Sequence, residues 1–186
     1  KVLVKNGVDA TSVEGASTLP YAIPAVAVDL HSPYGAVPVQ WWRSVGHSHT
    51  AFAVNSAIDE LAALGGRDPL SVRRVLLADK PRHLAVLNAA ARRARWGLLQ
   101  DPGHHLGIAL HESFGSIVAQ VAEVSVEGRD VRVHRVTCAI DCGFAVNPAG
   151  VIAQMESAVV FGLSAALYGE IGIERGGAVQ SNFDDY

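Results

Sequence analysis

The chain has 186 residues, of which 49% are hydrophobic and 18% charged, and its formal net charge is −3. That composition supplies a sizeable core and excludes a disordered chain. It carries no basic stripe, so nucleic acid is not an expected partner; Arg92, Arg93 and Arg95 read as the solvated face of a helix.

In chain order, residues 1–20 have little period and read as an edge strand followed by a loop. Residues 21–30 read as a strand on their Ala-Val-Ala-Val run. Residues 31–40, with Pro33, Gly35 and Pro38, read as a loop. Phe52, Val54, Ile58, Leu61 and Leu64 recur at helical spacing, so residues 50–64 are predicted helical, stopped by Gly65-Gly66 and capped by Ser48 or Thr50. Asp68-Pro69 opens a second helix, and Pro81 opens a third that runs to about Trp96 before Gly97. Together these predict a helical subdomain over residues 48–97.

Past residue 97 the period changes. Residues 106–111, 117–126 and 131–140 read as strands, the last two joined by the turn Glu127-Gly128-Arg129-Asp130. Asn147-Pro148 starts a long apolar helix to about Tyr168, preceded by a strand that ends at Ala145 or Val146. A final hairpin, 170–173 with 178–181, turns at Gly176-Gly177. The apolar helix is long enough to cross a bilayer, but Gln154 and Glu156 lie within it and a charge in hydrocarbon costs a few kcal/mol. A buried core helix is therefore predicted. The fold class expected is α+β: a small helical subdomain, then a strand-helix-strand part over residues 104–186 whose strands pack on that buried helix.

Cys138 and Cys142 fall on a predicted strand, where four residues span about 13 Å. A disulfide needs Cα atoms about 4.4–6.8 Å apart, so none is expected between them. Two cysteines also fall short of the four that an iron–sulfur cluster usually takes. The histidines His47, His49, His104, His105 and His111 show no structural-zinc spacing and no H-E-x-x-H, so no metal ligated directly by the protein is expected. Glu112-Ser113-Phe114-Gly115 is not a nucleophile elbow, which argues against a serine hydrolase.

Two strings carry chemistry. In Trp41-Trp42-Arg43-Ser44-Val45-Gly46-His47-Ser48-His49 a glycine turn runs into a helix start, which presents backbone N–H groups and the positive end of the helix dipole to an anion or an oxo ligand. Arg43 adds a fork of donors. Read alone, the same string is more simply that of a capped helix whose arginine sits in a structural ion pair. The second string is Asp141-Cys142-Gly143-Phe144-Ala145-Val146-Asn147-Pro148, followed by Gln154-Met155-Glu156-Ser157-Ala158. There Gln154 and Glu156 either face a polar ligand or are satisfied by neighbouring backbone.

Taken in order, these strings resemble the large subunit of molybdenum hydroxylases of the xanthine dehydrogenase and aldehyde oxidase superfamily. Trp42-Arg43-Ser44-Val45-Gly46 resembles that family's aromatic-Arg-Gly-x-Gly loop. Asn147-Pro148 through Gly162-Leu163, with Gln154 inside, resembles its N-P…G-Q-x-x-G-[GA]…G-L segment. Residues 42–52, 111–124 and 154–167 with Ser181-Asn182-Phe183 resemble the large subunits of the isoquinoline 1-oxidoreductase type, and the likeness runs from about Val13 to Tyr186.

The resemblance implies part of a molybdopterin-binding domain in an enzyme that hydroxylates an N-heterocycle or aldehyde with water. It implies a molybdenum–pterin cofactor, often the cytosine dinucleotide, and electron transfer through an iron–sulfur small subunit or a haem partner. By the same resemblance Arg43 positions a substrate or cofactor oxygen, the backbone of Ser44, Val45 and Gly46 lines the pocket, and Gln154 donates hydrogen bonds to the cofactor. Ala153 and Ser157 stand where the motif has glycines that permit close backbone approach. The family's general-base glutamate, in a Gly-x-x-Glu string, is expected beyond Tyr186, and Glu112, Glu123 and Glu156 stand in no such string. The chain starts at Lys1 without a signal sequence and reads as an excerpt, leaving bacterial cytoplasm and periplasm both open. Alone it is expected to be an incomplete enzyme without cofactor, needing the remainder of the large subunit. The reading of another class is a non-catalytic interaction or assembly module that kept the fold.

Overall fold

A computed structural model describes residues 4–186 other than Asn6, Tyr34, Ala36, Pro38 and Leu99, so the loop assignment of Pro38 lies outside the described residues. The chain forms two compact units, one of Lys1–His31 with Trp41–Gly143, the other of Ser32–Gln40 with Phe144–Tyr186.

The first unit opens on a small hairpin of β1 (Val4–Lys5) and β2 (Val8–Asp9). A 3-10 turn at Ala10–Val13 follows, capped by the Asp9 carboxylate, which accepts from Thr11 N at 2.9 Å. Residues 22–30 form no strand. Pro20 and Pro24 lack the N–H that a ladder needs. The segment is tied instead by Tyr21, which is buried in the core, and by Ala22 N donating to Leu76 O at 2.8 Å.

Three helices come next: α1 (His47–Leu64), α2 (Pro69–Leu76) and α3 (Pro81–Arg93). The Asp68 side chain caps α2 as its Asp-Pro start predicts. For α1 the cap differs from expectation: neither Ser48 nor Thr50 caps it, and the N-cap is Gly46 with no side-chain hydrogen bond. Thr50 points inward instead, donating to Glu14 O at 2.6 Å and Gly46 O at 3.0 Å. The buried face of α1 carries Thr50, Asn55, Ile58 and Ala62, while Phe52, Leu61 and Leu64 are exposed. The third helix stops at Arg93, short of Trp96, whose indole N–H reaches the Asp68 carboxylate at 2.8 Å. Arg92, Arg93 and Arg95 are exposed, as expected of a solvated face.

The strands β3 (His104–Ser113), β4 (Ser116–Glu127) and β5 (Asp130–Asp141) form one antiparallel sheet in that order. The α+β class is as expected, but the helix that carries the sheet is α3, which packs on β4 and β5. Leu77, Leu87, Ala90, Ile117, Ala119 and Val121 close the core between them at 0–1% exposure. Alternation along β4 sends Ile117, Ala119, Val121 and Glu123 to the helix side.

Asn55 stitches α1 to the outer edge of β3: its side-chain N–H donates to Leu110 O at 3.1 Å and its Oδ1 accepts from Leu110 N at 3.0 Å. The fully buried Arg73 donates to Asn55 O and to the Asp59 carboxylate. The backbone groups of Leu110, on a strand edge, are thereby paired.

In the second unit Asn147 caps α4 (Pro148–Leu167), its Oδ1 accepting from Gly150 N at 3.2 Å, as the Asn-Pro string predicts. The strand before it ends at Asp141, earlier than Ala145. The terminal hairpin pairs β6 (Ile173–Glu174) with β7 (Gly177–Ala178), turning at Arg175-Gly176. The expectation of a buried α4 is overturned: it has no buried residue, and Ile152, Val160 and Phe161 are exposed. Apolarity on all sides records that a helix needs cover, not which residues give it. By length and composition α4 suffices to cross a membrane, with Glu156 as the charge against it.

Candidate functional site

The Arg43–Gly46 stretch is built under strain. Val45 sits at φ +52, a left-handed conformation that a β-branched residue rarely adopts and that costs about 1–3 kcal/mol. The turn is held by Val45 N donating to Trp42 O at 3.1 Å and Ser48 N to Val45 O at 3.2 Å. Gly46 is fixed by space: a Cβ there would lie 2.0 Å from Thr11 O, so only glycine permits the approach. Ser44 Oγ and Ser48 Oγ share a hydrogen bond of 2.9 Å across the turn. Arg43 is exposed, as are Trp41 and Trp42. The helix start behind the loop has no side-chain cap, and the Ser48 N–H there is taken up by Val45 O.

Directly after the loop, His47 meets His111 from β3, Nδ1 to Nε2 at 2.8 Å. Glu14 Oε2 is buried without a hydrogen-bond partner and lies 3.7 Å from His47 Nε2. Gly15, at φ +81, lets the backbone pass close to both imidazoles and Thr50. Phe114, itself at φ +50, closes on His47 edge to face at 5.6 Å. A cavity of about 280 Å³ opens here, lined by Tyr21, His47, His111, Glu112 and Phe114 among others. Burial, and then the neighbouring His47, hold the His111 imidazole below its ordinary pKa.

The remaining string divides between the units. Asp141, at the end of β5, is gripped by Arg82 through two bonds of 2.8 and 2.9 Å, and its Oδ1 also accepts from Gly143 N at 2.9 Å. The Arg82 guanidinium holds its carboxyl down to about 2. Gln154 belongs to the second unit, on α4, where it and Glu156 are exposed. Glu112 pairs with His83 Nε2 at 2.8 Å and Glu123 with His104 Nδ1 at 2.8 Å. Cys138 and Cys142 are free, and burial pushes the Cys138 thiol up.

Two features escape a reading of the sequence. Nothing in the spacing of His47 and His111 announces that they touch, although His47 lies in a string that carries chemistry. Asp101, His104 and Glu123 also converge, and zinc spacings do not reveal them because one of the three comes from the next strand.

Residues 99–186 match the family model described as the molybdopterin cofactor-binding domain. The chain is 33% identical over 171 residues to the beta subunit of isoquinoline 1-oxidoreductase from Brevundimonas diminuta, covering 89% of this chain and 22% of that protein. It is 30% identical over 186 residues to the B subunit of nicotinate dehydrogenase from Pseudomonas putida, covering 90% of this chain and 16% of that protein. A membrane-bound aldehyde dehydrogenase [pyrroloquinoline-quinone] of Gluconacetobacter polyoxogenes is 28% identical over 167 residues, covering 78% of this chain and 22% of that protein. The chain thus spans about a fifth of the length of the curated relatives it matches. No solved structure matches it. Residues 99–186 thus match a molybdopterin cofactor-binding domain, and the chain is similar to the subunits of molybdopterin-binding oxidoreductases.

Proposed function

We propose that this chain is part of an oxidoreductase that hydroxylates an N-heterocycle or an aldehyde with water, and that it supplies one wall of the molybdenum–pterin site. The observation that carries the reading is the strained, space-limited loop at Val45 and Gly46, set before an uncapped helix start. Strain of this kind persists where the surroundings over-determine it, and it clusters at ligand sites. The isoquinoline and nicotinate named in two relatives, and the aldehyde named in the third, support that substrate class.

When bound, the cofactor supplies two-electron oxidation of the substrate carbon, with water as the source of oxygen. This chain's residues do the holding. Arg43 presents its guanidinium to a substrate or cofactor oxygen, and the backbone of Ser44, Val45 and Gly46 lines the pocket. Gln154 donates its amide N–H groups to the cofactor. The cytosine dinucleotide form, the iron–sulfur or haem electron partner, the remainder of the large subunit and a general-base glutamate outside these residues complete the proposal. The isolated chain, with one wall of the site, is expected to hold no molybdenum and to turn nothing over, since small-molecule sites enclose roughly 70–90% of their ligand.

Arg43→Ala in the complete enzyme tests the reading. Loss of a charged hydrogen bond is worth roughly 1.5–3 kcal/mol, so kcat/KM should fall about ten- to a hundredfold while Tm holds. Unchanged kinetics with a large drop in Tm would make Arg43 a structural residue.

A further inference from the structure

On its helix side the sheet changes character beyond the last turn of α3. Along β4 the inward residues run Ile117, Ala119, Val121 and then Glu123, a carboxylate only 8% exposed at the end of an apolar row. A buried carboxylate needs partners on every side. From β3, His104 Nδ1 lies 2.8 Å from Glu123 Oε1; from β5, Arg135 lies 2.8 Å from Oε2. A β-bulge adds a further group. Glu123 faces Arg135 and Val124 faces Val133, so His134 is the extra residue of β5. Bulges re-aim side chains next to sites. Here the His134 ring stacks on His104 at 3.8 Å and 17°, and its Nε2 is 2.8 Å from Ser125 Oγ. The turn before β3, closed by His104 N donating to Asp101 O at 3.0 Å, brings in the Asp101 carboxylate.

One ligand atom each from Asp101, His104 and Glu123 lies within 4.8 Å of the others, at a polar cavity of about 400 Å³ that Arg95 and Gln100 also line. We propose that Asp101, His104 and Glu123 bind a divalent first-row transition-metal ion of the zinc type. The donor set is one imidazole nitrogen and two carboxylate oxygens, which suits zinc and its neighbours; calcium and magnesium prefer oxygen alone. The two carboxylates share this cavity with the guanidiniums of Arg95 and Arg135, so a bound cation competes with Arg135 for Glu123. Around an ion bound at about 2.0–2.2 Å, ligand atoms sit some 3.3–3.5 Å apart. The His104–Glu123 contact opens slightly to reach that spacing, and Asp101 closes in from its exposed turn. The stack with His134 orients the His104 ring, as groups behind a ligand histidine do.

Titration calorimetry of the full chain with Zn²⁺, and visible absorption with Co²⁺, test the site. The expected result is one saturable site per chain and cobalt bands of a low-coordinate nitrogen–oxygen centre. His104→Ala should weaken Zn²⁺ about tenfold or more, and Asp101→Asn several-fold. His105→Ala, whose side chain lies on the opposite face of β3, should leave binding as it was. Asp101 is exposed in a turn, so its variant keeps the fold even if removal of His104 disturbs the sheet. Absence of saturable binding, or binding indifferent to both His104→Ala and Asp101→Asn, would show that the cluster is only an ion-pair network around Glu123. Neither result depends on molybdenum or on turnover.

Discussion

His47 and His111, 64 residues apart in sequence, face each other Nδ1 to Nε2 at 2.8 Å. One ring must donate and the other accept, so the contact survives only while at least one of them is neutral. Glu14 and Glu112 are the carboxylates nearby, and Glu112 opposes the shift by favouring the charged form of His111.

Acid should loosen this contact. His111 titrates below its ordinary 6.5 in the folded chain, chiefly through burial. The unfolded chain therefore binds the proton more readily, so the contribution is whole above 6.5 and is lost as pH falls through the lower folded value. Thermal melts from pH 7.5 downward should show Tm falling below 6.5, and His111→Gln should flatten that fall. An equal slope in the variant would place the acid sensitivity elsewhere.

Asp141 gives a second pH signature, from the hold of Arg82 across α3 and β5. A carboxyl depressed from 3.8 to about 2 stabilises fully above 3.8, and that contribution is lost as pH drops through about 2. Carbon-detected NMR titration should place Asp141 near 2, and Arg82→Ala should move it back toward 3.8. A titration unmoved by that substitution would mean that Gly143 N alone sets it.

Replacing Asn55 should cost stability more than any surface change. Asn55→Ala removes both bonds to the Leu110 backbone and the side-chain acceptor beside the buried Arg73. Leaving buried polar groups unpaired costs roughly 1–3 kcal/mol each, so chemical denaturation should show a loss of about 3 kcal/mol or more. A loss under about 1 kcal/mol would mean that water or neighbouring groups replace the amide.

How far these relationships are legible in the sequence follows from where their causes lie. Local chemistry is readable: Asp68-Pro69 and Asn147-Pro148 start α2 and α4, and alternation marks β3, β4 and β5. Relations set by packing are not. The same apolar period fits a helix buried in this chain and one with no buried residue. A run of Ala and Val reads as a strand at 21–30, yet prolines and lack of pairing leave it as coil. At the site, Arg43 through Gly46 stand out by their glycine turn, but the positive φ of Val45 and the blocking carbonyl of Thr11 are products of the tertiary fold.

Val45 separates strain that serves function from strain that merely persists. Val45→Gly relieves a conformation costing about 1–3 kcal/mol at a glycine entropy cost of about 0.5–1 kcal/mol, so stability should hold or rise. In the complete enzyme the loosened loop should nonetheless lower turnover. Full activity with raised Tm would remove the loop's geometry from the functional account.

Molybdenum and pterin analysis of the complete protein that carries this chain, joined to turnover of an N-heterocycle or aldehyde in ¹⁸O-labelled water, tests the central claim most directly. Stoichiometric molybdenum with label in the hydroxylated product is the predicted result. A complete, folded protein without molybdenum or pterin, or a product whose new oxygen comes from dioxygen, would contradict it.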